Sequence, residues 1–301
     1  MASKAITYLR LMRPANIVTS VADVLAGIAI AGYFTGLPIV TNSFYPIVLL
    51  CLSTMGLYGG GIVFNDVFDA ELDKVERPER AIPSGLVSKG EATALGSFLL
   101  LWGIGFGYAH SPQSGLIAVF IAFFALLYNR VSKHNRFFGP LNMGFCRGLN
   151  LLLGISIVTS ALVQWYYVAV VPLLYIFSIT MISRGEVHGG DKKNLYTGAS
   201  LYLIVIFAIH FFSAHQGVQP KNMLYTLMFL IPFAWMIFKP LSVAIQDPAG
   251  KNIGKAVKAG VISLILMDAA WAAAFGAIYP AILIACLLPV SISFSKWFAV
   301  T

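Results

Sequence analysis

Charge is what this chain has least of. Only 11% of its 301 residues are Asp, Glu, Lys or Arg, and 58% are hydrophobic, where a soluble domain carries about 25% charged residues. A composition so poor in charge excludes an ordinary soluble domain and implies a polytopic membrane protein. The apolar runs are continuous rather than alternating with polar residues, which excludes a β-barrel and leaves helices. Cysteine is also scarce. Cys51, Cys146 and Cys286 stand isolated in apolar segments, with no metal or redox spacing between them, and read as buried small hydrophobes. Acids are outnumbered by bases, 12 against 20, for a net charge of +8. Such an excess raises the question of nucleic acid, but loop topology accounts for it more simply, and no nucleic-acid partner is expected. No cleavable signal or transit peptide reads ahead of the first apolar segment.

What the chain does contain is a series of ten apolar segments, at 17–34, 44–64, 92–109, 115–127, 140–158, 165–182, 197–212, 223–238, 259–277 and 281–297. Several lie near the lower length limit for a span. Only Ile278-Tyr279-Pro280 separates the last two, so they also read as one broken element. The expectation is a single all-α transmembrane domain over residues 1–301.

The basic residues orient these segments. Apart from Lys221 and Arg147, every Lys and Arg falls in the N-terminal arm, in an even-numbered loop or in the tail. By the positive-inside rule both termini and all even loops are cytoplasmic. The two loops richest in acids, after the second and sixth segments, then share one face.

The first of these carries the densest chemistry. In Asn65-Asp66-Val67-Phe68-Asp69-Ala70-Glu71-Leu72-Asp73, read as helix, Asp66, Asp69 and Asp73 occupy a face about 60° wide, with Glu71 on the opposite side. Like charges so placed repel by a few tenths of a kcal/mol, roughly, per pair. The arrangement makes sense around a cation, and for carboxylates that also meet substrate phosphates the usual ion is Mg²⁺. Pro78 and Pro83 then end the helix, returning Arg77 and Arg80 toward the acids, and guanidinium groups there suit a magnesium-bridged diphosphate. The plainer reading is a solvated, charge-balanced loop.

Asp23 in the first segment and Asp268 in the ninth would each cost about 2.5–3.5 kcal/mol at mid-bilayer, so each should face the bundle interior, be protonated or find a partner. Arg147, flanked by Asn142 and Asn150, is a candidate partner, and the three could line a cavity. The stretch from Lys239 to Lys258 reads as a basic loop lying on an anionic leaflet.

The pattern NDxxDxxxD followed by Arg, Pro and Pro-Ser-Gly resembles the first aspartate-rich motif of the UbiA superfamily of intramembrane prenyltransferases. The run GGGIVFNDVFDAELDKVERPERAIPSG is most similar to its Ebo-type branch. The resemblance implies a bundle of nine transmembrane helices, with a tenth at the C-terminus as an addition. It also implies Mg²⁺-dependent transfer of a prenyl group from a prenyl diphosphate to a small-molecule acceptor, usually an aromatic ring, in the lipid bilayer. The setting it implies is a bacterial inner membrane, with the N-terminus in the cytoplasm.

Residue by residue, Asp66, Asp69, Asp73, Glu186 and Asp191 become the metal ligands. Asn16, Asn65, Arg77, Arg80, Tyr128, Lys133, Arg147 and Lys192 join them around the substrates, and Arg13 and Asn16 match an Arg and an Asn at the mouth of the family's first helix. Phe64, Phe68 and Tyr128 are candidates to shield an allylic cation. The second motif departs from the family's DxxxD. Val187 stands four residues before Asp191, Glu186 stands five before it, and His188 is the other candidate ligand, unusual for magnesium. That departure keeps two other readings open: a lipid- or metabolite-binding protein without turnover, and a transporter.

Overall fold

A computed structural model describes residues 4–34, 44–186, 189–215 and 220–298. Among the described residues the chain forms thirteen α-helices and no strand. In order they are α1 (Lys4–Met12), α2 (Pro14–Ile30), α3 (Phe44–Glu76), α4 (Lys89–His110), α5 (Pro112–Arg130), α6 (Phe138–Ile155), α7 (Thr159–Trp165), α8 (Val170–Ser183), α9 (Lys192–His215), α10 (Pro220–Gln246), α11 (Gly250–Ala274), α12 (Ile278–Ala285) and α13 (Leu287–Trp297). Among the described residues eight helical units are long and apolar enough to cross a membrane, or nine with α1 and α2 taken as one span bent by 47°. The protein is an integral, multi-pass membrane protein. α6 is outside that set, carrying Asn142, Arg147 and Asn150, yet it packs inside the bundle against α2, α5 and α8.

The centre of the bundle is built from small residues. From Ile262 to Ala274 every residue of α11 is buried, and α2 is buried along most of its length. Alanine and glycine here let helix axes approach closely, as membrane helices require when lipid is as apolar as a leucine side chain. The tightest approach is between α2 and α6. A Cβ on Gly27 would stand 2.3 Å from the Leu151 carbonyl oxygen, and one on Gly154 would stand 2.2 Å from that of Val24.

α3 positions the acids. Its 33 residues extend roughly 50 Å, well beyond a hydrocarbon core of about 30 Å, so its last turns emerge with the motif on them. The helix stops where Pro78 cannot continue it. The following loop turns back through Gly85, at φ 75°, a conformation glycine adopts without strain. Ser88 and Glu91 then start α4 with a reciprocal capping box.

Two expectations need correction. The 239–258 stretch is not a long loop: α10 runs on to Gln246 and α11 begins at Gly250, because Leu241 and Ala244 are buried in the bundle core and that packing overrides the helix-breaking tendency of Pro240. Cys286 is exposed rather than buried, while Cys51 and Cys146 are half-buried.

Candidate active site

At the end of the bundle where α3 emerges, several chain segments far apart in sequence meet. Arg13 Nη2 lies 2.9 Å from Asp66 Oδ1. Arg80 Nη1 bridges Asp66 Oδ1 at 3.3 Å and Asp73 Oδ2 at 2.8 Å. Lys133 makes an ion pair with Asp69, and Arg184 reaches the carbonyl of Asn135. These contacts join the N-terminal arm and the second, fourth and sixth loops at one face. All three motif carboxylates are thereby neutralised by side-chain cations, which removes the repulsion inherent in their one-face spacing. Burial pushes the Lys133 ammonium below the usual lysine value, and the Asp66 carboxylate pulls it back up.

Beneath this mouth lies a cavity of about 400 Å³ lined in part by Asn16, Asn65, Asp69, Asp73, Arg77, Tyr128 and Glu186. Along α3 it extends from Glu76 down to Thr54, roughly 33 Å of helix. Its deeper walls are apolar, with Leu57, Ile62, Ile176, Ile179 and Leu264 among them. Asn65 donates to Asn129 Oδ1 at 3.0 Å, and Asn129 donates to the Gly61 carbonyl at 3.0 Å. Thr54, Tyr58, Asn129 and Thr180 also line the cavity. Sequence reasoning gave Tyr58, Asn129 and Thr180 no role there. Tyr58 stands seven residues before Asn65 on α3, hence on the same side of the helix, and that spacing could have identified it, whereas Asn129 and Thr180 carry no such signal.

Asp66 is buried and faces a neighbouring pocket instead of this cavity. Asp191 is exposed and serves α9: its side chain accepts from the Lys193 backbone N–H at 2.9 Å, an N-cap. Lys192 is exposed on the first turn of α9. Val187 and His188 lie outside the described residues. Phe64 lies against α4 at Gly96 and Phe68 is exposed, so of the three rings proposed to shield a cation only Tyr128 lines the cavity, with Tyr58 deeper in.

At the deep end of the cavity sits a buried polar cluster that includes Thr54 and Asn150. Arg147 Nε is 2.5 Å from Asp23 Oδ2, and Asn150 donates to the same oxygen at 2.8 Å while accepting from Thr54 Oγ1 at 2.6 Å. Arg147 thus braces α6 to α2, stacking 5.5 Å from the Tyr58 ring without lining the cavity. Asn142 lies 3.0 Å from Ser132 Oγ. Of the three polar residues on α6, only Asn150 reaches the cavity.

Magnesium suits the donor set of the mouth. Asp69, Asp73, Glu186 and Asn65 present hard oxygen atoms on the walls of one cavity. Among the described residues no three carboxylate, His or Cys side chains form a ready cage. Mg²⁺ needs none, since it takes one or two carboxylates and completes its shell with substrate phosphates and water.

Comparison with known proteins agrees with this architecture. A digeranylgeranylglyceryl phosphate synthase of Methanococcoides burtonii is 35% identical over 150 residues, 49% of this chain and 53% of the relative. The chain therefore matches about half the length of that curated relative. A solved structure described as digeranylgeranylglyceryl phosphate synthase in membranes superposes with a TM-score of 0.65 at 22% identity, over 92% of this chain and 100% of its own. A UbiA homologue from Archaeoglobus fulgidus, bound to GPP and Mg²⁺, superposes with a TM-score of 0.62 at 15% identity, over 86% of this chain and 99% of its own. The model of the UbiA prenyltransferase family matches residues 24–244, most of the helical bundle including the motif on α3, and the chain belongs to that family.

Proposed function

We propose that the protein transfers a prenyl group from a prenyl diphosphate to an acceptor within the membrane. The observation that carries this reading is the amphipathic cavity, acidic and basic at its mouth and apolar below. That shape matches a donor with a charged head and a greasy tail, and no comparable match exists for a fully polar substrate. Asp69, Asp73 and Glu186 would hold magnesium together with the diphosphate, with Asn65 assisting. Asp66 and Asp191 would join them only on leaving their present partners. Bound magnesium supplies Lewis-acid neutralisation of the leaving diphosphate.

The chain's own residues do the rest. Arg77, Arg80 and Lys133 place fixed positive charge where the diphosphate gathers negative charge as the allylic C–O bond breaks. The leaving group keeps the electron pair, the acceptor's nucleophilic atom bonds to the freed carbon, and the acceptor's proton departs to water at the mouth. Tyr128 and Tyr58 face the cavity where their rings can attract the allylic cation. Arg147 acts at a distance, holding α2, α3 and α6 in register. The apolar lower walls keep water from the cation.

The resemblance points to an aromatic acceptor. A second reading, a glycerophosphate lipid, is favoured by the names of the archaeal relatives. Those relatives lend no support to the bacterial inner membrane expected above. A cytoplasmic mouth rests on the basic residues gathered at that face. The test is to incubate purified protein and radiolabelled geranylgeranyl diphosphate with phenolic acceptors or with a glycerophosphate lipid, with and without Mg²⁺. Magnesium-dependent product that disappears in Asp69→Ala is expected. Donor binding without product from any acceptor would favour a lipid-binding protein, and ion-driven uptake into proteoliposomes would favour a transporter.

A further inference from the structure

Asp268 is a buried acid that prenyl transfer leaves unused. It stands in the stretch of α11 that is buried without a break, and among the described residues neither of its carboxyl oxygens meets a hydrogen-bond donor. What it faces is a second carboxyl, that of Asp23 on α2. Asp23 is also buried and uses only one oxygen. Its Oδ2 takes Arg147 Nε at 2.5 Å and the Asn150 amide at 2.8 Å, while Oδ1 has no donor. The guanidinium turns its Nη2 elsewhere, donating to the Thr19 carbonyl at 2.8 Å.

Two buried carboxyls therefore share one guanidinium. With both ionised, one negative charge would stand uncompensated inside the bundle, and two acceptors would face each other with nothing to donate between them. No other group nearby supplies the missing charge. Tyr58 of α3 lies under the Arg147 guanidinium. Tyr175 of α8 is bonded to the Gly260 carbonyl and to Ser263, with Tyr202 of α9 packed beside it. The lysines of α10 and α13, Lys221, Lys239 and Lys296, are exposed, as is Tyr279 of α12. A buried water would satisfy the oxygens without balancing the charge. A metal ion fits poorly as well: three oxygens are unengaged, where a hard cation takes about six or more, and the guanidinium beside them repels it.

We infer that Asp23 and Asp268 form a proton-binding site, with one hydrogen held between Asp23 Oδ1 and the Asp268 carboxyl. The shared hydrogen satisfies both groups at once and leaves the cluster with one negative and one positive charge; it belongs to the pair rather than to either residue. Asp268 is then a positioning residue. Through Asp23 it fixes Asn150, which accepts from Thr54 Oγ1 at 2.6 Å at the deep end of the cavity. α11 otherwise meets the cavity only through apolar Val257, Val261 and Leu264, so this hydrogen ties α11 to the polar end wall built by α3 and α6. The positioning role rests on the prenyl-transfer reading, and the proton site does not.

The experiment records infrared spectra of the full chain, purified at neutral pH in an ester-free detergent, in H₂O and in D₂O. Wild type should show the C=O band of a protonated carboxyl, moving to lower wavenumber in D₂O, and Asp268→Asn should lack it. No such band, or one unaltered by Asp268→Asn, overturns the site. A melting temperature that rises with Na⁺ but not with choline at equal ionic strength, and only while Asp268 is present, overturns the proton in favour of a metal ion. The asparagine amide can replace the donated hydrogen, so Asp268→Asn should melt with the wild type. Asp268→Ala, which leaves Asp23 Oδ1 without a donor, should melt about 2–4 °C lower. Equal losses in the two variants overturn the hydrogen bond. Asp268→Ala should also weaken Mg²⁺-dependent binding of geranylgeranyl diphosphate about tenfold and spare geranyl diphosphate, whose shorter tail stops higher in the cavity, while Asp268→Asn binds both as wild type does. Equal weakening of the two donors overturns the positioning role. The carboxyl band without Mg²⁺-dependent binding of either donor to the wild type keeps the proton site and overturns the prenyl-transfer reading, the positioning role with it.

Discussion

Arg13 reaches Asp66 across 53 residues of sequence, its Nη2 2.9 Å from Oδ1, from a backbone held at φ 48°. Among the described residues it is the only non-glycine with positive φ. That conformation costs an L-residue roughly 1–2 kcal/mol, and it sits at the bend between α1 and α2. The bend points the guanidinium into the mouth, and the ion pair offsets the strain.

Replacing Arg13 separates those two effects. Arg13→Gly and Arg13→Ala should both weaken Mg²⁺-dependent donor binding, by about tenfold if one charge-assisted contact is lost. Arg13→Gly should nevertheless be the more stable of the two by about 1 kcal/mol, since glycine accepts the left-handed backbone. Thermal unfolding in detergent beside a donor-binding isotherm checks both. Equal stability would show that the bend is not strained.

Removing magnesium with EDTA should abolish turnover and leave the fold intact. Of the acids that would hold the metal, Asp73 is paired with Arg80 and Asp69 with Lys133, so withdrawing the ion leaves neither of these carboxylates unopposed. The melting temperature with EDTA should match that with Mg²⁺ alone, and donor plus Mg²⁺ should raise it by mass action.

Asp69→Asn should lower the rate by about 10²-fold or more, the scale of losing one preorganised electrostatic contact. It should also free Lys133, whose ammonium is half-buried with Asp69 as its ion-pair partner. Lys133→Met in the same chain should then recover stability but not activity. Recovery of activity by the double variant would remove Asp69 from the metal site.

Gly154→Ala should destabilise the bundle by about 1–3 kcal/mol, the usual cost of overpacking. The new methyl would meet the Val24 carbonyl at 2.2 Å, forcing α2 from α6 and pulling Asp23 from Arg147. Gly90→Ala is the control, since nothing lies within 4 Å of its Cβ position. Unfolding in a graded denaturant series distinguishes them.

Glu91 ties α1 to the start of α4. It meets Lys4 Nζ at 2.5 Å while closing the capping box with Ser88. The Lys4 ammonium and the Ser88 bonds pull its carboxyl from 4.5 down to about 2. A depressed carboxylate contributes stability that is full above pH 4.5 and lost as pH falls through about 2. Amide protection over α1, corrected for intrinsic exchange, should therefore fall between those values in the wild type and stay level across them in Glu91→Gln.

The ten apolar runs and the charge asymmetry of their loops are local properties, and each run corresponds to a helix or helix pair of the bundle because lipid leaves a backbone no other way to satisfy its hydrogen bonds. The acidic face of α3 was legible for the same reason: helical periodicity fixes which side chains share a side. What the sequence could not supply was the partner of each charge. That Asp66 turns toward Arg13 and a second pocket, that Asp69 meets Lys133, and that Asp191 caps α9 follow from how helices pack and bend. Such choices are made by contacts between residues tens to hundreds of positions apart, through Gly27 and Gly154 and the 47° bend at Arg13, and only the tertiary structure decides them.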